Sequence, residues 1–493
     1  MKKRIVYIVS YFLLLLTLFV CQKPFFMLYN DAAEKGALFS DFFRVMGNGI
    51  SLDATTAGYL TALPFLMVLI SIWVKKFPLR KILLPYYIIA SLLVAVVFVV
   101  DMGLYPFWGF KLDASIFLYL DSPKEAMASV SFGFILLRVV AMLMLTTFYV
   151  WLMCKVTPHQ LEVTAKRIGG TLGMLFLGGI LFIIIRGGVT ESTSNVGQVY
   201  FSNNQFLNHS AVNPCFSLLS SMGKSKDFAS EFNFFEEEKR AKLVEGLYPT
   251  SDGDSLKQVL TTNRPNVLLI LMEGFGGAFI EPLGGLPDVA PNLNRLSEEG
   301  IFFTHCYANS FRTDRGTVCA LSGYLGLPTV SVMKIPTKSR TLPAISEELV
   351  KAGYQTDFLY GGDINFTNMK SYLLSKGYQH LTADTDFSLA ERNSNVWGVN
   401  DDITSEWLLN HLKQRSDKET PWFTTYLTLS SHEPFDVPYS RLEEKIPNAF
   451  AYTDECLGKL IEGLKQTPLW KDLLIVCIPD HGFCYPQGTT DRG

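Results

Sequence analysis

The chain has no excess of charge of either sign. Its 43 Lys and Arg residues nearly balance its 46 Asp and Glu residues, which leaves a formal net charge of −3. Because domains that bind nucleic acids carry clustered positive charge, this balance excludes nucleic acid as an expected partner. The chain also lacks internal repeats and low-complexity stretches, so its organisation is read from hydrophobic runs and short motifs.

Cysteines in a zinc-binding arrangement are missing as well. None of the eight cysteines has the spacing of a zinc ribbon. Cys21 and Cys154 lie in apolar runs, and Cys477 lies in a short strand-like segment where a small core residue is expected. The cysteines are compatible with an extracytoplasmic domain but do not decide the compartment.

Long apolar runs, by contrast, are abundant, and nearly all of them come before residue 188. Five reach or approach the length that crosses a bilayer, at roughly 5–29, 55–74, 82–100, 129–154 and 168–186. Lys2, Lys3 and Arg4 precede the first run as in a signal peptide, but no small-residue cleavage site follows it. We therefore expect a retained anchor and a multi-pass membrane protein.

The distribution of Lys and Arg predicts the orientation of these spans. The N-terminus, the loop at 75–81 and the loop at 155–167 are basic, whereas the loops at about 30–54 and 101–128 are less so. Basic loops stay on the cytoplasmic side. The N-terminus is therefore expected in the cytoplasm, and everything beyond Gly187 outside it, on a cell (inner) membrane.

Beyond the spans, the pattern changes twice. Residues 188–262 are polar and rich in Ser and Asn, with a charged helical stretch from Glu231 to Leu247, and predict a linker between a membrane domain at 1–187 and a globular domain at 263–493. Within the globular part, strand-like and helix-like segments alternate. The predicted strands are 266–272, 301–307, 354–360, 422–429 and 473–478, and the predicted helices are 291–299, 316–322, 341–352, 367–376, 401–415 and 448–466. This alternation predicts a doubly wound α/β domain with its site at the carboxyl ends of the strands.

Metal-ligand side chains follow two of these strands. Asp480 and His481 come directly after the apolar segment Ile475–Pro479, and Glu273 follows Asn266–Met272. Thr313 offers a hydroxyl in a separate loop. Two carboxylates, one imidazole and one hydroxyl can make a hard, oxygen-rich site for a divalent cation.

Thr313 is the candidate nucleophile. A threonine hydroxyl becomes effective when a divalent cation lowers its pKa. Arg312 and Arg315 flank it, and guanidinium groups match the geometry of phosphoryl oxygens. A helix capped by Thr313, with both arginines in solvent, is the alternative for this segment alone.

Two further loops follow predicted strands and supply candidate substrate ligands. His432 comes after the strand ending at Leu429, where it could bind substrate or act as an acid toward a leaving alkoxide. Asp363 and Asn365 follow the strand ending at Tyr360 and could contact a substrate hydroxyl. For each loop, a purely structural role is the alternative.

Together these residues resemble the lipoteichoic acid synthase-like phosphoglycerol transferase family of the sulfatase and alkaline phosphatase superfamily. Glu273 matches its metal-binding glutamate, Thr313 in Arg-Thr-Asp-Arg-Gly its metal-bound nucleophile, and Asp480–His481 its metal-binding pair. His432, before Pro434–Phe435, matches its substrate-site histidine. The resemblance implies a multi-pass helical membrane domain and an α/β alkaline-phosphatase-like, sulfatase-type extracytoplasmic domain.

The resemblance also implies a mechanism, a metal and partners. A phospholipid donor such as phosphatidylglycerol would leave its phosphoglycerol, or a related headgroup, on Thr313, and a glycan, glycolipid or polymer hydroxyl would then accept it. Family members use manganese, and related phosphoethanolamine transferases use zinc. One histidine without cysteine favours a hard ion, so a single Mn²⁺ is expected, with Mg²⁺ and Zn²⁺ as alternatives.

The sequence departs from the family in two places. Around Phe366–Met369 the aromatic and basic substrate residues of polymer-making members are not evident, which leaves single transfer or polymerisation open. The chain ends at Gly493, whereas the family continues well past its Asp-His pair, so a fragment or a truncated domain is expected.

Two other functions compete with the transferase. One is a hydrolase of the same superfamily, a sulfatase or phosphodiesterase. Thr313–Gly316 does not supply the Cys/Ser-x-Pro-x-Arg setting of a sulfatase, and two-metal phosphatases need more His and Asp ligands than the predicted strand ends offer. The other is an inactive membrane scaffold.

Overall fold

The computed structural model describes residues 1–114, 116–117, 132–190, 192–222, 233–247, 259–415 and 420–486. Its N-terminal part contains five helices that are long and apolar enough to cross a membrane. These helices are α1 (Lys2–Tyr29), α2 (Phe39–Ile70), α3 (Leu79–Trp108), α4 (Phe132–Val156) and α5 (Arg167–Arg186). The five predicted spans are thus present as helices. The predicted residues 129–131 of the fourth lie outside the described residues.

The second helix differs most from its predicted span of 55–74. It begins at Phe39 and ends at Ile70. Its start lies before the apolar run because a helix can also continue through more polar residues. Its end is fixed by polar contacts: the Ser71 hydroxyl donates to the Val68 carbonyl, and Arg4 donates to the Ser71 carbonyl at 2.8 Å.

Two buried Lys–Asp ion pairs lie in the helical part of the described residues. Lys23 of α1 lies 2.8 Å from Asp53 of α2, and Lys111 lies 2.5 Å from Asp101 of α3. Charges in such surroundings are costly unless they are paired. The first pair joins α1 to α2, and the second joins the residues after α3 to that helix.

The polar segment after α5 is more than a tether. It contains α6 (Gln205–Ala211), α7 (Pro214–Ser221) and α8 (Glu237–Leu247). Asn213, just before α7, donates to Asp53 at 2.9 Å, and Asn195 donates to the Asn365 carbonyl at 2.8 Å. The segment thus packs on the membrane helices and also contacts the globular part. The predicted start of its charged helix at Glu231 lies outside the described residues.

The globular part is built on a parallel sheet in the order β3-β2-β4-β1-β5. Its strands are β1 (Asn266–Met272), β2 (Gln355–Tyr360), β3 (His380–Thr382), β4 (Trp422–Leu427) and β5 (Leu473–Pro479). The helices between them are α9 (Pro291–Glu299), α10 (Thr313–Ser322), α11 (Pro336–Ser339), α12 (Ile345–Lys351), α13 (Met369–Ser375), α14 (Leu389–Arg392), α15 (Asp401–Lys413) and α16 (Lys445–Lys465).

Each face of the sheet carries its own core. Leu268 and Ile270 of β1 pack with residues of α15 and α16, whereas Leu269 and Leu271 pack with residues of α10 and α13. Alternate strand residues point to opposite faces, so an unbroken apolar run is what a strand covered on both sides requires. The predicted doubly wound α/β architecture is confirmed.

One predicted strand is absent, and one observed strand was not predicted. Residues 301–307 form no strand, and Ile301, Phe303 and Tyr307 are exposed. A β-prone run becomes a strand only where a neighbour supplies main-chain partners, and β1 is already flanked by β4 and β5. The three-residue strand β3, pairing with β2 through Asp357↔His380, was not predicted because it is too short to show alternation.

Candidate metal centre and active site

The centre forms where three adjacent parallel strands end. β1 lies between β4 and β5, with Met272 opposite Pro479 in the register of β1 and β5. The next residues, Glu273 and Asp480, therefore leave the sheet side by side. Both are buried. Parallel pairing thus brings together side chains that lie far apart in the sequence.

Three ligand-type side chains converge at this edge. One ligand atom from each of Glu273, Asp480 and His481 lies within 4.8 Å of the other two. The His481 Nε2 is 3.3 Å from Glu273 Oε1 and 3.6 Å from Asp480 Oδ2. His481 Nδ1 lies 2.8 Å from the Gly482 carbonyl, which can only accept, so Nδ1 carries a hydrogen. In the neutral ring, the Nε2 lone pair therefore faces two carboxylates.

Such a cluster requires a proton or a cation at its centre. The Asp480 Oδ2 is buried and has no hydrogen-bond partner among the described residues. A buried, unpartnered carboxylate oxygen is costly. Together with the glutamate and the imidazole it makes a donor set that fits one divalent cation.

The protonation of the three groups reflects this crowding. Burial and the charge of Glu273 raise the pKa of Asp480 to about 7. Burial acts to lower the pKa of His481, but its hydrogen bond to Glu273 and the charge of Asp480 prevail and raise it to about 9. Burial acts to raise the pKa of Glu273, but the hydrogen bond and charge of His481 prevail and lower it. Without a cation, a proton on His481 and, below about pH 7, a second proton on Asp480 offset the charge of the carboxylates.

Thr313 joins this cluster as the first residue of α10. Its hydroxyl donates to Glu273 Oε2 at 2.8 Å. A Cβ at Gly316 would lie 2.1 Å from the Asp480 carbonyl oxygen, so only glycine permits this approach of α10 to the end of β5. The structure thus brings together Glu273, Thr313, Asp480 and His481, the four residues for which the sequence predicts metal binding.

Main-chain and hydroxyl contacts hold the ligands in place. The Glu273 N–H donates to Thr428 Oγ1 at 2.9 Å, and the Ser431 hydroxyl donates to the Glu273 carbonyl at 2.6 Å. Asp480 Oδ1 accepts from the Gly274 N–H at 2.9 Å. The roles of Thr428 and Ser431 were missed because an isolated hydroxyl after a strand carries no distinctive sequence signal.

His432 lies beside the centre, and its charge contributes to lowering the pKa of Glu273. Its Nδ1 lies 2.8 Å from the Glu433 carbonyl, so Nδ1 carries a hydrogen and Nε2 is left for other partners. The Trp397 ring packs against it with centroids 4.7 Å apart. Buried Asp401 fixes the preceding loop by accepting from the Leu429 N–H at 2.8 Å.

The remaining predicted ligands are not joined to the cluster by hydrogen bonds. Arg312 is exposed at the start of α10. Arg315 donates to the Val330 carbonyl at 3.3 Å and stacks on Phe311, while its Nη1 has no partner among the described residues. Phosphate binding by these arginines stays a prediction.

Asp363 and Asn365 pair with each other. Asp363 Oδ1 accepts from the Asn365 main-chain N–H at 2.9 Å and from its side-chain amide at 3.1 Å. Nearby Tyr360 was missed by sequence reasoning. Burial and then the charges of Glu273, Asp363 and Asp480 raise its pKa, which places the phenol in their field. A substrate role for Asp363 and Asn365 stays a prediction.

Comparison with known proteins agrees with this architecture. The Sulfatase family model matches residues 265–492. Phosphoglycerol transferase I of Salmonella arizonae is 25% identical over 218 residues, which are 40% of this chain and 28% of that protein. Its Escherichia coli counterpart is 26% identical over 216 residues, again 40% and 28%. The chain thus spans less than a third of the length of these relatives.

A solved structure of partial similarity is the lipoteichoic acid synthase LtaP of Listeria monocytogenes. It is 17% identical, has a TM-score of 0.45, and the match covers 51% of this chain and 64% of that one. The Sulfatase family model thus covers the part of the chain that follows the five apolar helices.

Proposed function

We propose that the protein is a membrane-anchored, metal-dependent transferase that moves phosphoglycerol, or a related phospho-headgroup, from a phospholipid to a hydroxyl acceptor through Thr313. The observation that carries this proposal is the contact of the Thr313 hydroxyl with Glu273 inside the carboxylate–imidazole cluster. The name of the phosphoglycerol transferase relatives supports the headgroup assignment. A glycan, glycolipid or polymer would supply the accepting hydroxyl.

Glu273, Asp480, His481 and Thr313 are the residues that would hold the ion, and Mn²⁺ suits their mainly oxygen donors. When bound, a divalent ion would favour the ionised form of the threonine hydroxyl and offset phosphoryl charge. The chain's own part is to hold Thr313 Oγ at the start of α10, where free N–H groups favour an anion.

In the first step, Thr313 Oγ would attack phosphorus as its hydroxyl proton leaves to solvent, from which Thr313 recovers a proton in the second step. The Oγ–P bond forms, the bond from phosphorus to the diacylglycerol oxygen breaks, and protonated His432 gives its Nε2 proton to that oxygen. In the second step, His432 takes the proton of the acceptor hydroxyl as that oxygen attacks phosphorus. The Oγ–P bond breaks, and Thr313 regains its proton and its hydrogen bond to Glu273.

The five apolar helices support the choice of a lipid donor, since they would hold the domain at the bilayer surface. We propose the N-terminus in the cytoplasm and the sulfatase-type domain outside it. Cys306 is exposed on that domain, so a membrane-impermeant thiol reagent should label it in intact cells. Labelling of Cys306 only after lysis would reverse the proposed topology.

The central test uses the full chain in membranes with headgroup-labelled phosphatidylglycerol and Mn²⁺. Label should appear on the peptide that contains Thr313 and pass to an added hydroxyl acceptor. Thr313→Ala should take up none, whereas Thr304→Ala, a change at an exposed threonine, should label normally. Release of labelled glycerol phosphate into water without transfer would favour a phosphodiesterase. Absence of label in the wild-type chain would sink the proposed transferase.

A further inference from the structure

A second polar site lies where the membrane helices meet the sulfatase-type domain. A cavity of about 730 Å³ is lined by residues from the end of α3 and residues 109–114, from the segment 194–221, and from residues 334–341 with part of α13. We call it the junction cavity. Its volume is in the range of pockets that hold small ligands. None of its lining residues belongs to the metal centre.

The junction cavity is lined by the charged guanidinium group of Arg340. Arg340 donates to the Gly109 carbonyl at 3.1 Å and to the Trp108 carbonyl at 3.4 Å, and it stacks on Phe110. Both hydrogen-bond acceptors are neutral. The Arg340 Nε is buried without a partner among the described residues, so one donor of a charged group remains unmatched.

Two lysines that line the same cavity already have acidic partners. Lys111 forms its ion pair with Asp101, and Lys334 lies 3.0 Å from Asp314. His209 is neutral, because burial and the charges of Arg340 and Lys111 lower its pKa to about 3. Lys338 and Asp113 also line the cavity, and Arg340 is the cation there whose hydrogen bonds go to neutral carbonyls.

Acceptors for hydroxyl groups lie in the same cavity. Asn195 donates through its amide nitrogen to the Asn365 carbonyl, while its Oδ1 is buried without a partner among the described residues. Ser371 and Ser375 give their hydrogens to carbonyls at 2.8 Å within their own segment, which leaves oxygen lone pairs free to accept. The cavity thus combines an unmatched donor on a cation with an unmatched neutral acceptor.

We propose that the junction cavity binds a hydroxylated phosphate, of the glycerol phosphate type, with its anion on Arg340 and a hydroxyl on Asn195. Guanidinium groups bind phosphate by paired hydrogen bonds, and the amide oxygen accepts from the hydroxyl. The ligand is either a lipid headgroup or a soluble polyol phosphate, since both carry the same phosphate and hydroxyl groups. This site does not depend on the chemistry at Thr313.

The test is binding of sn-glycerol 3-phosphate to the full chain in phosphatidylcholine nanodiscs, followed by calorimetry in the presence of a chelator. Arg340→Gln should weaken binding about thirtyfold or more, because it removes the charged partner of the anion. The matched control is Arg264→Gln, since Arg264 likewise donates to a carbonyl and lies over a tyrosine ring, outside the cavity. Thr313→Ala should bind as the wild type does, whatever its activity.

A second variant protects against a folding defect in Arg340→Gln. Ser375→Leu fills part of the cavity from α13 and should also abolish binding. Phosphatidylglycerol co-purifying with the wild type but not with Arg340→Gln, without binding of the soluble probe, would identify a lipid headgroup as the ligand. Equal binding by wild type, Arg340→Gln and Ser375→Leu would overturn the proposal, as would failure of the wild type to bind either probe.

Discussion

Buried charges occur in two regions of this molecule and are treated in opposite ways. Between the membrane helices, two buried carboxylates have a lysine each, in the pairs Lys23–Asp53 and Lys111–Asp101. At the end of the sheet, Glu273 and Asp480 share one histidine. The first arrangement is neutral as it stands, whereas the second needs a proton or a cation.

The difference lies in charge rather than in a missing hydrogen bond. Asp53 Oδ2 is as unpartnered as Asp480 Oδ2, but Lys23 neutralises the Asp53 carboxylate. An unpartnered oxygen therefore does not by itself indicate a binding site, because both regions have one. The net charge distinguishes the neutral ion pair between the helices from the anionic cluster that can hold an ion.

The largest expected effect is on catalysis at the sheet end. Thr313→Ala should lower headgroup transfer by about 10³-fold or more, because it removes the attacking oxygen. Asp480→Asn should abolish both transfer and metal binding, since it removes the charge of a ligand. Turnover of labelled phospholipid and metal content by mass spectrometry report the two effects separately. Transfer that survives in Thr313→Ala would exclude this residue as nucleophile.

Breaking a membrane pair should affect stability instead. Lys23→Met leaves Asp53 buried without its cation and should lower the free energy of unfolding by about 3–5 kcal/mol. Arg44→Met is the matched control, because Arg44 pairs with Asp41 at 2.9 Å but is 57% exposed, and it should cost about 1 kcal/mol or less. Unfolding in nanodiscs measures both variants. Equal effects would contradict the inferred importance of burial.

The two regions should also differ in their response to added metal. Mn²⁺ at about 100 times its Kd should stabilise the wild type by about 2.7 kcal/mol, because only the folded chain presents the site. The same gain is expected in Arg44→Met and none in Asp480→Asn. Thermal unfolding with and without a chelator gives the comparison. Stabilisation of Asp480→Asn by Mn²⁺ would locate the ion elsewhere.

A pH dependence of metal binding should likewise be confined to the sheet end. Mn²⁺ must displace the proton that His481 holds below about pH 9 and, below about pH 7, the one that Asp480 holds. The apparent affinity should therefore fall as pH falls, by about tenfold per pH unit for each proton displaced. Calorimetric titrations between about pH 6 and about pH 9, the range in which both groups lose their protons, measure the slope. A flat profile would mean that no proton is displaced.

Sequence reasoning reached the residues whose signal is local. Apolar runs predicted five helices, and ligand-type residues directly after apolar segments predicted Glu273, Asp480 and His481 as one group. Parallel strands place their carboxyl ends together, so the sequence needed only to identify the strands. The prediction of a strand at 301–307 was wrong, because the β-propensity of a segment does not show whether a neighbouring strand is available for pairing.

Features that depend on distant contacts could not be predicted in this way. Thr428 supports Glu273 from 155 positions away, and Asp401 holds the loop before His432 through the Leu429 N–H. The packing of Asn213 against Asp53 joins segments 160 positions apart. Each contact is specific in space, but none leaves a periodic or compositional trace in the sequence.

The position of β5 has a consequence for biosynthesis. Two of the four candidate metal-binding residues, Asp480 and His481, follow this strand, which pairs with β1. The ribosome therefore completes the other strands and the Thr313 helix before the ion's ligand set exists. In the proposed topology, residues 473–481 would reach β1 only on the far side of the membrane, so the nascent enzyme would acquire its metal after export and remain inert toward cytoplasmic lipids.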